Sequence, residues 1–117
     1  MALHGLPQPD VHAAAQAAVE AAGGRLPQTP THDLSDGREV ESMMAAALEA
    51  GPLDILVNNA GIQHTAALAD MPRAKWDAIL SINLSAAFDT MRLALPDMIR
   101  RGYERIINVA SVHGLVA

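Results

Sequence analysis

Residues 53–61, LDILVNNAG, contain the segment that decides the fold of this chain. The first six residues are mostly aliphatic and β-branched, and Asn59, Ala60 and Gly61 follow as a tight turn. A short apolar run bounded by turn residues is typical of a buried strand in a parallel sheet. We therefore predict such a strand over 53–58.

Working outward from this strand, the pattern predicts alternating helices and strands. The predicted helices cover 11–22, 37–50 and 72–101, and the predicted strands cover 25–32, 53–58 and 105–110. Asp10 is the expected N-cap of the first helix, and Ser35 or Asp36 that of the second. This alternation predicts a doubly wound parallel sheet, in which ligands bind beyond the carboxyl ends of the strands.

The predicted helix 72–101 is the longest helical signal. Apolar residues spaced three and four apart predict one shared face, interrupted by Asn83. Pro96 is expected to kink or break the helix, and Gly102 to end it.

Composition excludes several classes of function. The chain has 117 residues, no cysteine and a net charge of −5. A disulfide framework and a cysteine zinc site are therefore excluded, and no metal site is expected because the histidines are dispersed. The acidic balance argues against nucleic acid as a partner. Short apolar runs and an N-terminus without signal-peptide character favour a cytoplasmic protein without a membrane span.

Polar residues at the predicted strand ends are the candidates for chemistry. Alone, the Asn-rich turn at 58–61 is as compatible with an ordinary turn as with a ligand site. Ser111 alone is typical of a structural serine at a strand end. Asn83 needs hydrogen-bond partners if it is buried, and a satisfied helix–helix contact would supply them.

These features occur in a fixed order along the chain. HDLSD, LDILVNNAG, INLSAAF and RIINVAS follow one another over most of its length. The set resembles the short-chain dehydrogenase/reductase family. The resemblance implies an α/β Rossmann-type sheet with three α/β/α layers, and hydride transfer between NAD(P) and a carbonyl or alcohol.

The same resemblance implies a role for each matching residue. Asn83 and Ser111 would be catalytic: the helix site of Asn83 would hold a water of the proton relay, and Ser111 would hydrogen-bond the reacting oxygen. The others would bind cofactor, with Asp33 and the Leu34 backbone at the adenine, the turn residues at the ribose, and Ile82 nearby. The turn residues are Asn59, Ala60 and Gly61.

Two further stretches, GIQH at 61–64 and SVHGLVA at 111–117, resemble the D-3-hydroxybutyrate dehydrogenases within that family. This implies that Gln63 and His113 hold the carboxylate of a small hydroxy or keto acid, a role that amide and imidazole donors suit. Alone, His113 is compatible with an exposed loop histidine. Another 3-oxoacyl or sugar substrate remains an alternative. NAD is expected, because residues 4–6 contain no arginine for a 2′-phosphate, and NADP remains the alternative.

The family's Gly-rich loop and its Tyr-x-x-x-Lys pair have no counterpart in this sequence. The only lysine is Lys75, and the only tyrosine, Tyr103, precedes Ser111. Residues 1–117 are therefore expected to form a partial NAD(P)-binding Rossmann domain without its first strand and C-terminal part. We expect the lone chain to be inactive and unstable, and the full-length form to be a homo-oligomer. A non-catalytic module that docks onto a full-length homologue is the alternative.

Overall fold

The computed structural model describes residues 2, 4, 9–25 and 31–112. The chain forms two compact units, Met1–Asp33 and Leu34–Ala117. The first unit contains helix α1 (Pro9–Ala21). The second contains helices α2 (Gly37–Glu49), α3 (Arg73–Leu80) and α4 (Ala86–Arg101), and strands β1 (Ile55–Asn58) and β2 (Arg105–Asn108).

Helix α1 begins one residue before the expected cap. Proline suits the first helical position, so Asp10 lies in the first turn and is not the N-cap. Gly23 has a φ of 82° and its N–H donates to the carbonyl of Glu20, which ends the helix as predicted. Of the predicted strand 25–32, residues 26–30 lie outside the described part, and the described remainder is not in a strand.

Helix α2 confirms the capping prediction. The Asp36 carboxylate accepts a hydrogen bond from the Arg38 N–H at 2.9 Å, which satisfies one free donor of the first turn. Three residues on one face are buried, Val40, Met43 and Met44. This face forms half of the core.

Strands β1 and β2 pair in parallel, with Ile55 opposite Arg105 and Asn58 opposite Asn108. Both strands are shorter than predicted. The prediction of a strand buried on both faces is wrong for this structure, because burial alternates: Leu56 packs on the core while Ile55 and Val57 are exposed. Helices cover only one face of the described sheet, so every second side chain faces solvent.

The long helical segment contains a turn that the sequence did not predict. A π-helical turn, Ser81–Ser85, joins α3 to α4, and the Ala86 N–H donates to the carbonyl of Ser81. The wider turn shifts the helix faces, so the predicted single apolar stripe does not match the buried positions of α4. These are Ala86, Thr90, Ala94 and Met98, of which only Ala94 belongs to the predicted stripe.

The end of α4 differs from the prediction at Pro96 and agrees with it at Gly102. The helix continues through Pro96 to Arg101, so Pro96 does not break it. Gly102 ends it with a φ of 68°, the left-handed conformation that glycine adopts without strain.

The core of the second unit lies between α2, α4 and one face of the sheet. Val40, Ala94 and Met98 are fully buried, and Leu34, Leu56 and Ile106 pack against them. Burying a side chain such as Val or Met contributes about 1.5–3 kcal/mol, so this contact is the main stabilising interaction of the unit.

Arginines connect the charged surfaces of these elements. Arg101 pairs with Asp54 at 2.6 Å and with Asp97 at 2.8 Å, and it also donates to the carbonyl of Leu53. The hydrogen bond from Arg101 lowers the pKa of the Asp97 carboxyl, with a smaller contribution from Arg100. These contacts hold the end of α4 against the residues before β1, where the sequence predicted two further strand positions.

Among the described residues, one continuous helical stretch, Arg73–Arg101, is long and apolar enough to cross a membrane by length and composition alone. No uninterrupted apolar run in the sequence is long enough to predict this stretch. Only 17% of that apolar stretch is buried here, and a single helix of this kind is weak evidence of a membrane span.

Candidate cofactor and substrate site

The carboxyl ends of β1 and β2 meet at one edge of the sheet. Because the strands are parallel and in register, the chain leaves both at the same level. The Val109 N–H donates to the carbonyl of Asn58 at 2.9 Å, which extends the contact by one residue. Asn59–Gly61 and Ser111 therefore follow from the same edge, as the sequence predicted for parallel strands.

The side chain of Asn83 fixes the loop that follows β1. Its Oδ1 accepts from the Ile62 N–H at 2.9 Å, and its Nδ2 donates to the Ile62 carbonyl at 2.9 Å. One amide thus satisfies both polar groups of one backbone residue. The partner is a loop and not a second helix, so the helix–helix alternative is wrong.

The π turn Ser81–Ser85 carries both Ile82 and Asn83 to this edge. Such single π turns are frequent at functional sites because they redirect side chains and backbone groups within a helix. Ile82 is half-buried there. No signal in the local sequence distinguishes this turn from an ordinary helical one.

Gly61 lies in the loop that Asn83 holds. Its φ is not positive, and an added Cβ would come no closer than 3.7 Å, to Asn83 Oδ1. That distance is an ordinary van der Waals contact, so neither backbone conformation nor packing against the described residues requires a glycine. The missing side chain leaves the backbone accessible from outside.

A chain of polar side chains that the sequence did not predict lies behind this edge. Asn58 Nδ2 donates to Asn108 Oδ1 at 2.9 Å, and the buried Thr90 hydroxyl lies 2.7 Å from Asn58 Oδ1. Asn58 and Asn108 are the last residues of their strands, and an asparagine at both ends was the available signal. Nothing in the sequence pointed to Thr90.

The remaining predicted residues are placed as follows. Gln63 is exposed in the loop after Ile62, and Asn59, Ala60 and Ser111 are exposed at the edge. Leu34 packs its side chain on the core of the second unit, while Asp33 is an exposed residue of the first unit. His113 lies outside the described residues.

The chemistry of this edge is that of neutral hydrogen-bonding groups. It offers exposed amides, backbone groups and the Ser111 hydroxyl, which can orient a ligand and stabilise a developing oxyanion. Tyr103 lies two residues before β2, at the opposite end of that strand, and Lys75 belongs to α3. Neither is positioned to act as a base beside Ser111. Over the described residues, no group of three His, Asp or Glu side chains could hold a metal ion.

Comparison with known proteins identifies this arrangement. The model of the short chain dehydrogenase family matches residues 6–117. Two curated relatives, each named D-beta-hydroxybutyrate dehydrogenase, are those of Cupriavidus necator, 59% identical over 86 residues, and Rhizobium meliloti, 48% identical over 86 residues. Each match covers 73% of this chain and 33% of the relative.

A solved structure agrees with these sequence matches. A metagenomic short-chain oxidoreductase in complex with NADP superposes with a TM-score of 0.87 at 31% identity, over 97% of this chain and 50% of that one. The two-stranded parallel sheet and its helices are therefore part of a Rossmann fold. The chain spans about a third of the length of the curated relatives that it matches, and it belongs to the short chain dehydrogenase family of oxidoreductases.

Proposed function

We propose that this chain contributes the central part of an enzyme that interconverts (R)-3-hydroxybutyrate and acetoacetate with NAD. One observation carries the proposal: Asn83 fixes the loop of Gly61 and Gln63 at the strand edge from which Ser111 also extends. The names of the two curated relatives support the choice of substrate.

The proposed roles follow from hydrogen-bonding chemistry. Ser111 donates to the reacting oxygen of the substrate, which orients it and stabilises negative charge there. Gln63 and His113 donate to the carboxylate of the substrate. Because both polar atoms of the Asn83 side chain are engaged by Ile62, a relay water there is held by backbone groups of the π turn.

The edge fits the ribose part of a nicotinamide cofactor. Asn59 offers an exposed amide, and Gly61 leaves its backbone open where no packing requires it. A bound cofactor would supply hydride transfer, and Ile82 and the Leu34 backbone would complete its contacts with the second unit. NAD is proposed over NADP, although the solved relative holds NADP.

The test uses a graft enzyme, in which residues 6–117, the segment that the family model matches, replace the equivalent segment of the Cupriavidus necator dehydrogenase. We expect the graft enzyme to reduce acetoacetate with NADH. Gln63→Ala should raise KM for acetoacetate roughly 10- to 100-fold, the effect of losing a hydrogen bond to a charged group. KM for NADH should stay unchanged, and Thr65→Ala in the same exposed loop is the matched control. An unchanged KM for acetoacetate in Gln63→Ala would contradict the carboxylate role.

A 3-oxoacyl or sugar substrate is the alternative within the family. A neutral 3-oxoacyl thioester lacks the free carboxylate, so Gln63→Ala should not alter its reduction if Gln63 binds that group. Faster turnover of the thioester than of acetoacetate by the graft enzyme would favour the alternative. The 117-residue chain itself, incubated with NAD and (R)-3-hydroxybutyrate, should form no NADH.

We further propose that the full-length form is a homo-oligomer of the cytoplasm. Large apolar side chains are exposed at four-residue intervals along the long helical segment, Trp76, Leu80, Leu84 and Phe88. Such a series is suited to contact with a second copy. Phe88→Glu should reduce the oligomeric mass of the graft enzyme in light scattering, whereas Leu68→Glu, on an exposed residue outside these helices, should not.

A further inference from the structure

We propose that Thr90 is a positioning residue for this site, acting through Asn58 and Asn108, an inference that rests on the proposed function. Thr90 is only 6% exposed, on the face of α4 turned toward the core. Its hydroxyl contacts Asn58 and Ala87, neither of which is assigned to cofactor or substrate. Its effect on the site therefore passes through the ends of the two strands.

The Thr90 hydroxyl determines how the neighbouring amide is oriented. Its Oγ1 lies 2.7 Å from Asn58 Oδ1 and 3.0 Å from the carbonyl oxygen of Ala87. A hydroxyl has one hydrogen, and the shorter contact assigns it to Asn58. Asn58 must then present its oxygen to Thr90 and its nitrogen to the adjacent strand.

The hydrogen bonds keep the same donor-to-acceptor direction from β1 to β2. Asn58 Nδ2 donates to Asn108 Oδ1 at 2.9 Å, so Asn108 turns its own Nδ2 toward Met91 Sδ at 3.6 Å. The chain of bonds begins and ends on α4. It joins both strand ends to one helix through groups that each have a matching donor or acceptor.

The two bonded asparagines lie within a few residues of the proposed site. Asn59 follows Asn58 directly, and Ser111 lies three residues beyond Asn108. The Val109 N–H, bonded to the Asn58 carbonyl at 2.9 Å, repeats the connection in the backbone. Without the Thr90 hydroxyl, Asn58 Oδ1 has no donor in the chain of bonds, and the spacing between loop and serine is less restricted.

The kinetic test compares two substitutions in the graft enzyme. Thr90→Val keeps the shape of the side chain and removes the hydroxyl, whereas Thr90→Ser keeps the hydroxyl. We expect Thr90→Val to lower kcat for acetoacetate roughly tenfold, as for the loss of one net hydrogen bond, with a smaller change in KM. Thr90→Ser should restore kcat to within about twofold. Thr65→Val, at an exposed threonine, is the matched control.

A second measurement needs no substrate. Hydrogen exchange at the Val109 N–H should become roughly tenfold faster in Thr90→Val, while exchange of core amides such as Ala94 and Met98 stays unchanged. Unchanged exchange at Val109, a loss of kcat that Thr90→Ser does not restore, or equal acceleration at the core amides would overturn the positioning role. A graft enzyme that exchanges as expected but does not reduce acetoacetate would instead refute the proposed function.

Discussion

The sheet face turned away from α2 and α4 determines how the 117-residue chain should behave alone. Ile55, Val57 and Ile107 remain 55%, 53% and 51% exposed there. Full burial of such a side chain contributes about 1.5–3 kcal/mol, so about 1 kcal/mol of burial is forgone at each, or about 3 kcal/mol together. Domains are stable by about 5–15 kcal/mol, so a deficit of this size is a large share of the total. We therefore expect the lone chain to lack a cooperative native state.

Differential scanning calorimetry measures this directly. A cooperatively folded chain of this length would unfold with an enthalpy of roughly 80 kcal/mol. We expect no such peak from the lone chain, and a gradual loss of helical circular dichroism on heating. The graft enzyme, in which the same residues are part of a complete fold, should show a sharp transition and serves as the control. A sharp transition of the lone chain, with an enthalpy near that value, would refute the reasoning.

Three more predictions concern single residues of the graft enzyme. Asn83→Ala removes both hydrogen bonds to the loop and should lower the free energy of unfolding by about 1–3 kcal/mol in urea titrations, with Asn59→Ala, an exposed asparagine that makes neither of these bonds, as the control. Gly61→Ala should leave the Tm unchanged and raise KM for NADH, whereas Gly102→Ala, at a φ of 68°, should cost about 1–2 kcal/mol of stability; equal effects on Tm would contradict the assignment of Gly61. Because Arg101 lowers the pKa of Asp97 in the folded state, the ion pair stabilises the fold above about pH 4 and loses its effect as the pH falls below that. Asp97→Asn should therefore flatten the stability profile between about pH 5 and pH 2, a result absent if the pair forms equally in the unfolded chain.

Local chemistry made part of this fold predictable. Asp36 caps α2 because its carboxylate reaches a backbone donor two residues away, and Gly102 ends α4 because glycine adopts a positive φ without strain. The parallel pairing of β1 with β2 followed from the length of the helical segment between them. Each of these features depends on residues close in sequence or on the handed connection of strand, helix and strand.

Features that depend on distant contacts were not predictable in the same way. β1 begins two residues after the start of the apolar run, where Arg101, 47 residues away from Asp54, engages the Asp54 side chain and the Leu53 backbone. The π turn rotates the faces of the long helical segment, so regular spacing predicted the wrong stripe. Pro96 was expected to disturb the helix, yet the segment continues because its packing on α2 outweighs one missing backbone donor.

At the candidate site, too, the sequence predicted the type of residue but not its hydrogen-bond partner. The sequence indicated that Asn83 needed partners, but not that Ile62, 21 residues earlier, supplies both of them. An amide is suited to this because it donates and accepts in one plane, as a backbone residue does. Replacing it by a carboxylate or an aliphatic side chain removes at least one of the two bonds, which explains why an asparagine suits this position.

Register provides the physical reason why one small edge can combine several functions. A parallel pair in register brings residues 50 positions apart to the same level, as the bond between Asn58 and Asn108 shows. The register fixes the positions at which the chain leaves the two strands. Gly61 after β1 and Ser111 after β2 therefore keep their separation without contacting each other. A slip of one residue would turn Asn58 away from Asn108 and break the connection to Thr90 at the same time. The polar chain therefore favours the one register in which the proposed cofactor loop and the proposed catalytic serine face the same ligand.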